Sequence, residues 1–342
     1  MNMNFVRKLP IPKELKEQYP LSAELEKIKY QRDREISDIL MGINSRFLLI
    51  IGPCSADRED SVMDYLCRLK HVQEEVSDKI LIVPRLYTSK PRSQGKGYMG
   101  FLHQPDPNEA PDILKGISQV REFHLRALSE TGFSCAEELL YPENHRYLSD
   151  LISYVAVGAR SVENQEHRLV ASGLKIPVGM KNPVGGNLDS LINSISSAKL
   201  PHKFLYRGWE VESAGNPLAH AILRGYKDKD GIPHPNYDEK SVLNLLEKYE
   251  AAGLSFPTCI IDTNHDNSGK QYEKQPDIAL ETVDLRNREP AVKKFVKGLM
   301  VESYLTDGCQ EIDGNTYGQS ITDPCIGWDK TEKLIYSLAE ML

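Results

Sequence analysis

At 342 residues the chain has room for one large barrel or two ordinary domains. Forty per cent apolar and 27% charged residues suit a soluble globular protein, and a formal net charge of −7 argues against a nucleic-acid binder while allowing a local basic cluster. No apolar run reaches membrane-spanning length, "MNMNFVRKLPIP" lacks a secretory core, and six scattered cysteines fit a reducing compartment, so a cytoplasmic location is predicted.

Residues 1–45 read as an N-terminal extension, with a Pro-punctuated start and a helix in "LSAELEKIKYQRDREISDIL" that begins at Ser22. From residue 46 to 342, β-type runs alternate with helical ones. "FLLII" (47–51) is apolar throughout, as a strand buried on both faces should be. Further strands are predicted at 80–85, 133–139, 154–160, 177–182, 219–225, 258–265 and 297–303. Helical patterns such as "DSVMDYLCRLKHVQEEV", "SVENQEHRLVASGL", "DEKSVLNLLEKYEAAGL" and "QPDIALETVDL" lie between them, and "KTEKLIYSLAEML" closes the chain. Eight strands alternating with helices predict an α/β fold, a closed (β/α)8 TIM barrel, with a doubly wound sheet as the alternative. "HKFLYRGWEVESAGNP" reads as an inserted β-hairpin ahead of the sixth strand. "GKGYMG" (95–100) matches a dinucleotide fingerprint, but it follows no strand directly and the Pro-broken stretch after it cannot open a helix.

Every predicted strand closes on, or just before, a residue able to do chemistry: Cys54, Arg85, Glu138, Arg160, Lys181, Arg224, His265 and Glu302. In a barrel those ends converge on one mouth, where enzymes of this fold place their sites. Four cations there, Arg85, Arg160, Lys181 and Arg224, with Lys90, Arg92 and Ser93 in the loop after the second strand, call for phosphate or carboxylate groups. Cys54, His265, Glu302 and Asp323 offer a donor set for a borderline divalent ion. A catalytic Cys–His pair is the other use of the same side chains, and the residues alone leave both open.

The motifs "IGPCS", "KPRS", "GAR", "GMKN", "LRG", "IDTNHDNSGKQ", "MVES" and "SITDPCIGW" resemble, in order, those of the type I 3-deoxy-D-arabino-heptulosonate-7-phosphate (DAHP) synthases, from about residue 10 to the end. The resemblance implies condensation of phosphoenolpyruvate with erythrose 4-phosphate and water, the first step of the shikimate route. It implies one divalent metal ion (manganese, iron, cobalt or zinc) on Cys54, His265, Glu302 and Asp323. It matches Arg85, Lys90, Arg160, Lys181 and Arg224 to the phosphoenolpyruvate-binding set. Pro91 accompanies them in the "KPRS" element, and Arg92 and Ser93 match the residues that hold the phosphate of erythrose 4-phosphate. Glu138 matches an acidic residue near the reacting water, and Asp323 stands beside the substrates as well as on the metal. Lys90, Glu138 and His265 are the candidate catalytic groups, with Lys90 as proton donor. A 3-deoxy-octulosonate 8-phosphate synthase, whose family has a longer element at "KPRS", and a non-catalytic regulatory barrel are the alternatives. An exposed arm with an apolar helix face predicts a homo-oligomer, a dimer or tetramer as in relatives, and no nucleic-acid or membrane partner is expected.

One stretch departs from the aromatic-sensitive members of that family. Where they carry Asp-Met and then Pro-Gln, this chain has Tyr141-Pro142 and His145-Arg146, and Lys175 stands where they have a small Ser. The N-terminus is also shorter and lacks their early acidic pair. Weak inhibition by phenylalanine or tyrosine is expected.

Overall fold

The computed structural model describes residues 2–92 and 95–342. Eight parallel strands form the predicted barrel: β1 Phe47–Gly52, β2 Ile80–Pro84, β3 Ala136–Glu138 and β4 Tyr154–Val157, then β5 Val178–Lys181, β6 Ala219–Leu223, β7 Cys259–Asp262 and β8 Val296–Glu302. They pair in the order β2-β1-β8-β7-β6-β5-β4-β3. A parallel bridge between Arg85 and Ala136 joins the two free ends, so the sheet closes. Open doubly wound packing is thereby excluded.

Several strands end earlier than the sequence pattern predicts. Arg160, Arg224 and His265 stand on the turns beyond β4, β6 and β7 rather than on the strands. Gly158 and Gly225 interrupt the first two runs, and Gly225 has a left-handed φ of 72° with a Cβ position only 2.4 Å from the Asn267 nitrogen. His265 itself takes a φ of 53°, which no strand residue can adopt.

A helix follows each strand: Glu59–Val76, Ile113–Thr131, His145–Leu148, Gln165–Ser172, Leu188–Lys199, Glu239–Ala251, Gln275–Arg288 and Trp328–Met341. The predicted insertion is an antiparallel hairpin, His202–Tyr206 with Trp209–Ser213. Its two-residue turn has φ of 53° at Arg207 and 77° at Gly208, the left-handed pair that matches strand twist.

Ahead of the barrel come α1, Pro12–Gln18, and α2, Ala23–Met41. The Ser22 hydroxyl accepts from the Leu25 N–H at the start of α2, and Gly42 ends it at φ 79°. Ile36, Ile39 and Leu40 share one face of α2 and pack with Leu48, Ile50, Ile222 and Ile260 inside the barrel. Thr258, just before β7, donates to the Leu40 carbonyl at 3.1 Å, so α2 plugs the N-terminal end. The opposite end, where the strands' carboxyl termini converge, is left for chemistry.

Candidate active site

The β1 run stops at Gly52, whose φ of 157° and whose approach to the Arg85 carbonyl (2.7 Å from a Cβ position) leave no room for a side chain. Pro53 follows, and Cys54 is thereby delivered to the mouth. The cavity there is about 1010 Å³, entrance included, and is lined by Cys54, Arg85, Lys90, Pro91, Glu138, Arg160, Lys181, Arg224, His265, Glu302 and Asp323. One wall after another, the sequence-predicted residues meet. Arg92 is not among the lining residues; its Nε donates to the Tyr98 carbonyl at 2.7 Å. Ser93 lies outside the described residues.

Cys54, Glu302 and Asp323 bring one donor atom each to within 4.8 Å of one another. Cys54 Sγ lies 3.4 Å from Asp323 Oδ2, and the Lys90 ammonium donates to both, at 3.1 Å to the carboxylate. His265 lines the same cavity without joining that tight trio. Its Nδ1 is 3.0 Å from Asp262 Oδ1, which makes Nδ1 the donor and leaves Nε2 with its lone pair. Glu302 is steered by Arg85 Nη2 at 3.0 Å and Asn264 Nδ2 at 2.6 Å, and Gln275 grips its backbone N–H and carbonyl, each at 2.8 Å. A thiol, an imidazole with an outer carboxylate partner and two carboxylates form a set whose chemistry fits a divalent ion.

Electrostatics agree with that arrangement. Burial, then Glu302, pushes the Cys54 thiol up to about 12, so among these neighbours a free thiolate nucleophile is disfavoured. No hydrogen bond links Cys54 to His265 among the described contacts, which further weakens a Cys–His pair. The Lys90 ammonium holds Asp323 well below the usual carboxylate range. Burial raises Glu138, a half-buried carboxyl at the end of β3. Gly158 makes space for it: a Cβ there would meet Glu138 Oε1 at 2.6 Å.

The cations are individually anchored. Lys181 Nζ donates to Asp262 Oδ2 at 2.9 Å, and Arg224 Nη1 to Asp266 Oδ2 at 2.7 Å. Arg85 is 1% exposed and lies 4.2 Å over the Tyr87 ring, yet its Nε and Nη1 have no hydrogen-bond partner. Buried guanidinium donors left unsatisfied at a cavity wall mark a place for an anion.

The DAHP synthetase I family model matches residues 18–335 of this chain. The chain belongs to that family. It is 36% identical to the Tyr-sensitive phospho-2-dehydro-3-deoxyheptonate aldolase of Escherichia coli K12 over 343 residues, 98% of this chain and 93% of the relative. It is also 36% identical to the Phe-sensitive enzyme of that organism, over 98% of this chain and 94% of the relative. The solved aldolase structure from Francisella tularensis SCHU S4 superposes with a TM-score of 0.92 at 31% identity, covering 99% of this chain and 98% of that one. The activity is therefore that of a DAHP synthase: phosphoenolpyruvate and erythrose 4-phosphate condense with water to DAHP and phosphate, the first step of the shikimate pathway. The octulosonate-type condensation and the non-catalytic barrel are not favoured.

The structure also places at the site side chains that the sequence motifs did not assign. Asp262 touches both Lys181 and His265, Asp266 orients Arg224, and Asn264 orients Glu302. All three sit inside "IDTNHDNSGKQ", so polar residues packed between a strand end and a helix were the available signal. Lys227 and Lys270 also line the cavity. Lys227 had no motif to reveal it. Among the described residues no helix is long and apolar enough to cross a membrane.

Proposed function

We propose that the DAHP synthase reaction of this chain depends on one divalent metal ion held by Cys54, His265, Glu302 and Asp323. Arg85, Lys90, Arg160, Lys181 and Arg224, with Pro91 shaping the wall, hold phosphoenolpyruvate, and Arg92 and Ser93 take the phosphate of erythrose 4-phosphate. The observation that carries the substrate assignment is Arg85: two buried, unpartnered donors facing a cavity that Lys90, Arg160, Lys181 and Arg224 also line. For the metal, the support is the Cys54, Glu302 and Asp323 donors within 4.8 Å, beside a histidine already fixed by Asp262.

When bound, the ion supplies Lewis-acid polarisation of the aldehyde. The protein's own groups do the rest. Two polyanions repel one another, and the lining cations offset that repulsion while holding C3 of phosphoenolpyruvate against the aldehyde carbon. Asp262 and Asp266 keep Lys181 and Arg224 in place, so no reorganisation is needed as charge develops. Glu138, raised by burial, is suited to take a proton from the water that adds to C2. Phosphate then leaves by C–O cleavage. Lys90, bonded to Cys54 and Asp323, is placed to give a proton to the nascent hydroxyl.

Chelation should abolish turnover. Cys54→Ala should lower kcat/KM by more than about 100-fold and bind well below one equivalent of metal in equilibrium dialysis, with no rescue by manganese, iron, cobalt or zinc. Full activity of Cys54→Ala after exhaustive chelation would remove the metal assignment. Phosphate release with erythrose 4-phosphate but not arabinose 5-phosphate checks the aldose.

A further inference from the structure

Successive residues of β3 point to opposite faces, so Glu138 faces the mouth and Glu137 must face the helix layer. A carboxylate there is costly unless it is well hydrogen-bonded. Glu137 is 7% exposed, and its nearest basic neighbour among the described ion pairs is His124, with Nε2 at 3.6 Å. No Lys or Arg pairs with it among those contacts. Its oxygens are instead spent on one residue of the loop after β2 and on its own strand. The Thr88 N–H donates to both, at 2.9 and 3.1 Å, and the Thr88 hydroxyl donates to Oε2 at 2.5 Å. The Glu138 N–H donates to Oε1 at 2.9 Å.

Thr88 is thus gripped on both sides, because its carbonyl accepts from the Leu102 N–H at 2.9 Å. Two residues on comes Lys90, then Pro91 and Arg92. Beneath them runs Gly100, where a Cβ would come within 2.5 Å of the Thr88 carbonyl and 2.8 Å of the Lys90 nitrogen. The segment carrying the aldose-phosphate groups therefore leaves β2 through a residue clamped by a buried charge.

We propose that Glu137 is a positioning residue for the erythrose 4-phosphate end of the site: by clamping the Thr88 N–H and O–H, it fixes the Lys90–Pro91–Arg92 segment. This rests on the reading that Arg92 and its neighbour hold that phosphate. The clamp acts on one substrate more than the other. Arg85, Lys181 and Arg224 are placed by contacts with Glu302, Asp262 and Asp266 that do not pass through Thr88, so phosphoenolpyruvate keeps these three cations.

The test is steady-state kinetics of Thr88→Val, Thr88→Ala, Thr88→Ser and Arg92→Ala, with melting temperatures alongside. Loss of the hydroxyl in Val and Ala should raise KM for erythrose 4-phosphate about tenfold and lower kcat, while KM for phosphoenolpyruvate moves less than about threefold. Ser keeps the O–H and should stay within about twofold of the parent for both substrates. Thr88→Ala carries the comparison if Thr88→Val does not fold, since it adds no bulk. A Ser variant as impaired as Ala, equal rises in both KM values, or an unchanged KM for erythrose 4-phosphate in Val and Ala would each overturn the clamp. Arg92→Ala separates the two ideas. Unchanged aldose KM in that variant defeats the phosphate reading itself, whereas a raised one beside an unaffected Thr88→Ala defeats the positioning role alone.

Discussion

The His220 ring stands on β6 with 1% of its surface exposed, between two partners that settle its proton. Nδ1 lies 2.8 Å from the Leu218 carbonyl, which can only accept, so Nδ1 carries the hydrogen. Nε2, 2.8 Å from the Tyr154 hydroxyl, must then accept. The ring is satisfied as a neutral molecule, and burial pushes its pKa down from 6.5 to about 4. The unfolded chain therefore binds more protons between those values, and stability rises with pH across that window. The contribution is complete above about 6.5 and is lost as pH falls toward about 4, worth up to about 3 kcal/mol. Urea unfolding should show the midpoint falling from pH 7 to pH 5. His220→Asn, which can still donate to Leu218, should be less stable at pH 7 but show a shallower slope. An equally steep slope in the variant would assign the pH effect elsewhere.

The Ile113–Thr131 helix illustrates how a whole element can be bound to a single missing methyl. Its Gly116 has helical geometry, where Ala is ordinarily better by about 1 kcal/mol. A Cβ there would lie 1.9 Å from the Leu102 carbonyl oxygen, a backbone atom of the chain segment whose N–H holds Thr88. Overpacking outweighs propensity, so Gly116→Ala should destabilise by about 1–3 kcal/mol and reduce turnover, read by denaturation and kcat/KM together. A more stable variant would contradict the packing argument. The same element shows where sequence reading stops. Seven of the eight strands were legible as short, largely apolar runs ended by Gly, Pro or a charged residue, the third, Ala-Glu-Glu, being placed by the alternation around it, and the mouth residues were legible because a barrel gathers strand ends. Glu137 was not, since its neighbour Glu138 already explained the strand end and nothing in the sequence says which of two adjacent carboxylates has a clamp to hold. Asp262 and Asp266 stayed unassigned for a related reason: their partners, Lys181 and Arg224, are far away in sequence. Strand limits ran long where glycine and a left-handed histidine turn the chain before its apolar pattern ends.

Across the whole molecule, charge is sorted rather than spread. The chain carries −7 overall, yet its mouth is lined by seven cations (Arg85, Lys90, Arg160, Lys181, Arg224, Lys227, Lys270) against four carboxylates (Glu138, Asp266, Glu302, Asp323). That contrast draws phosphorylated substrates to one face while the remainder repels them. A second groove, between the N-terminal arm and the inserted hairpin, is lined by Arg7, Lys8, Arg146 and Arg207 with Glu143 and Glu166. The hairpin is fastened there to the segment after β3. The Tyr206 hydroxyl donates to the Pro142 carbonyl at 3.3 Å, the Arg146 guanidinium lies 6.0 Å over the Tyr206 ring, and Arg207 pairs with Glu143. Two of the departures from aromatic-sensitive relatives, Pro142 and Arg146, are thus engaged by Tyr206 of the hairpin. Lys175 is exposed and stands where aromatic-sensitive relatives have a small Ser, so its longer side chain takes up space that the Ser leaves open. Equal 36% identity to a Tyr-sensitive and a Phe-sensitive relative does not sort this chain with either. Phenylalanine and tyrosine should therefore inhibit weakly at physiological concentrations. Initial rates with each of the three aromatic amino acids check this, and a Lys175→Ser variant should gain inhibition if the lysine side chain is the obstacle. Strong saturable inhibition of the parent by phenylalanine or tyrosine would overturn this reading.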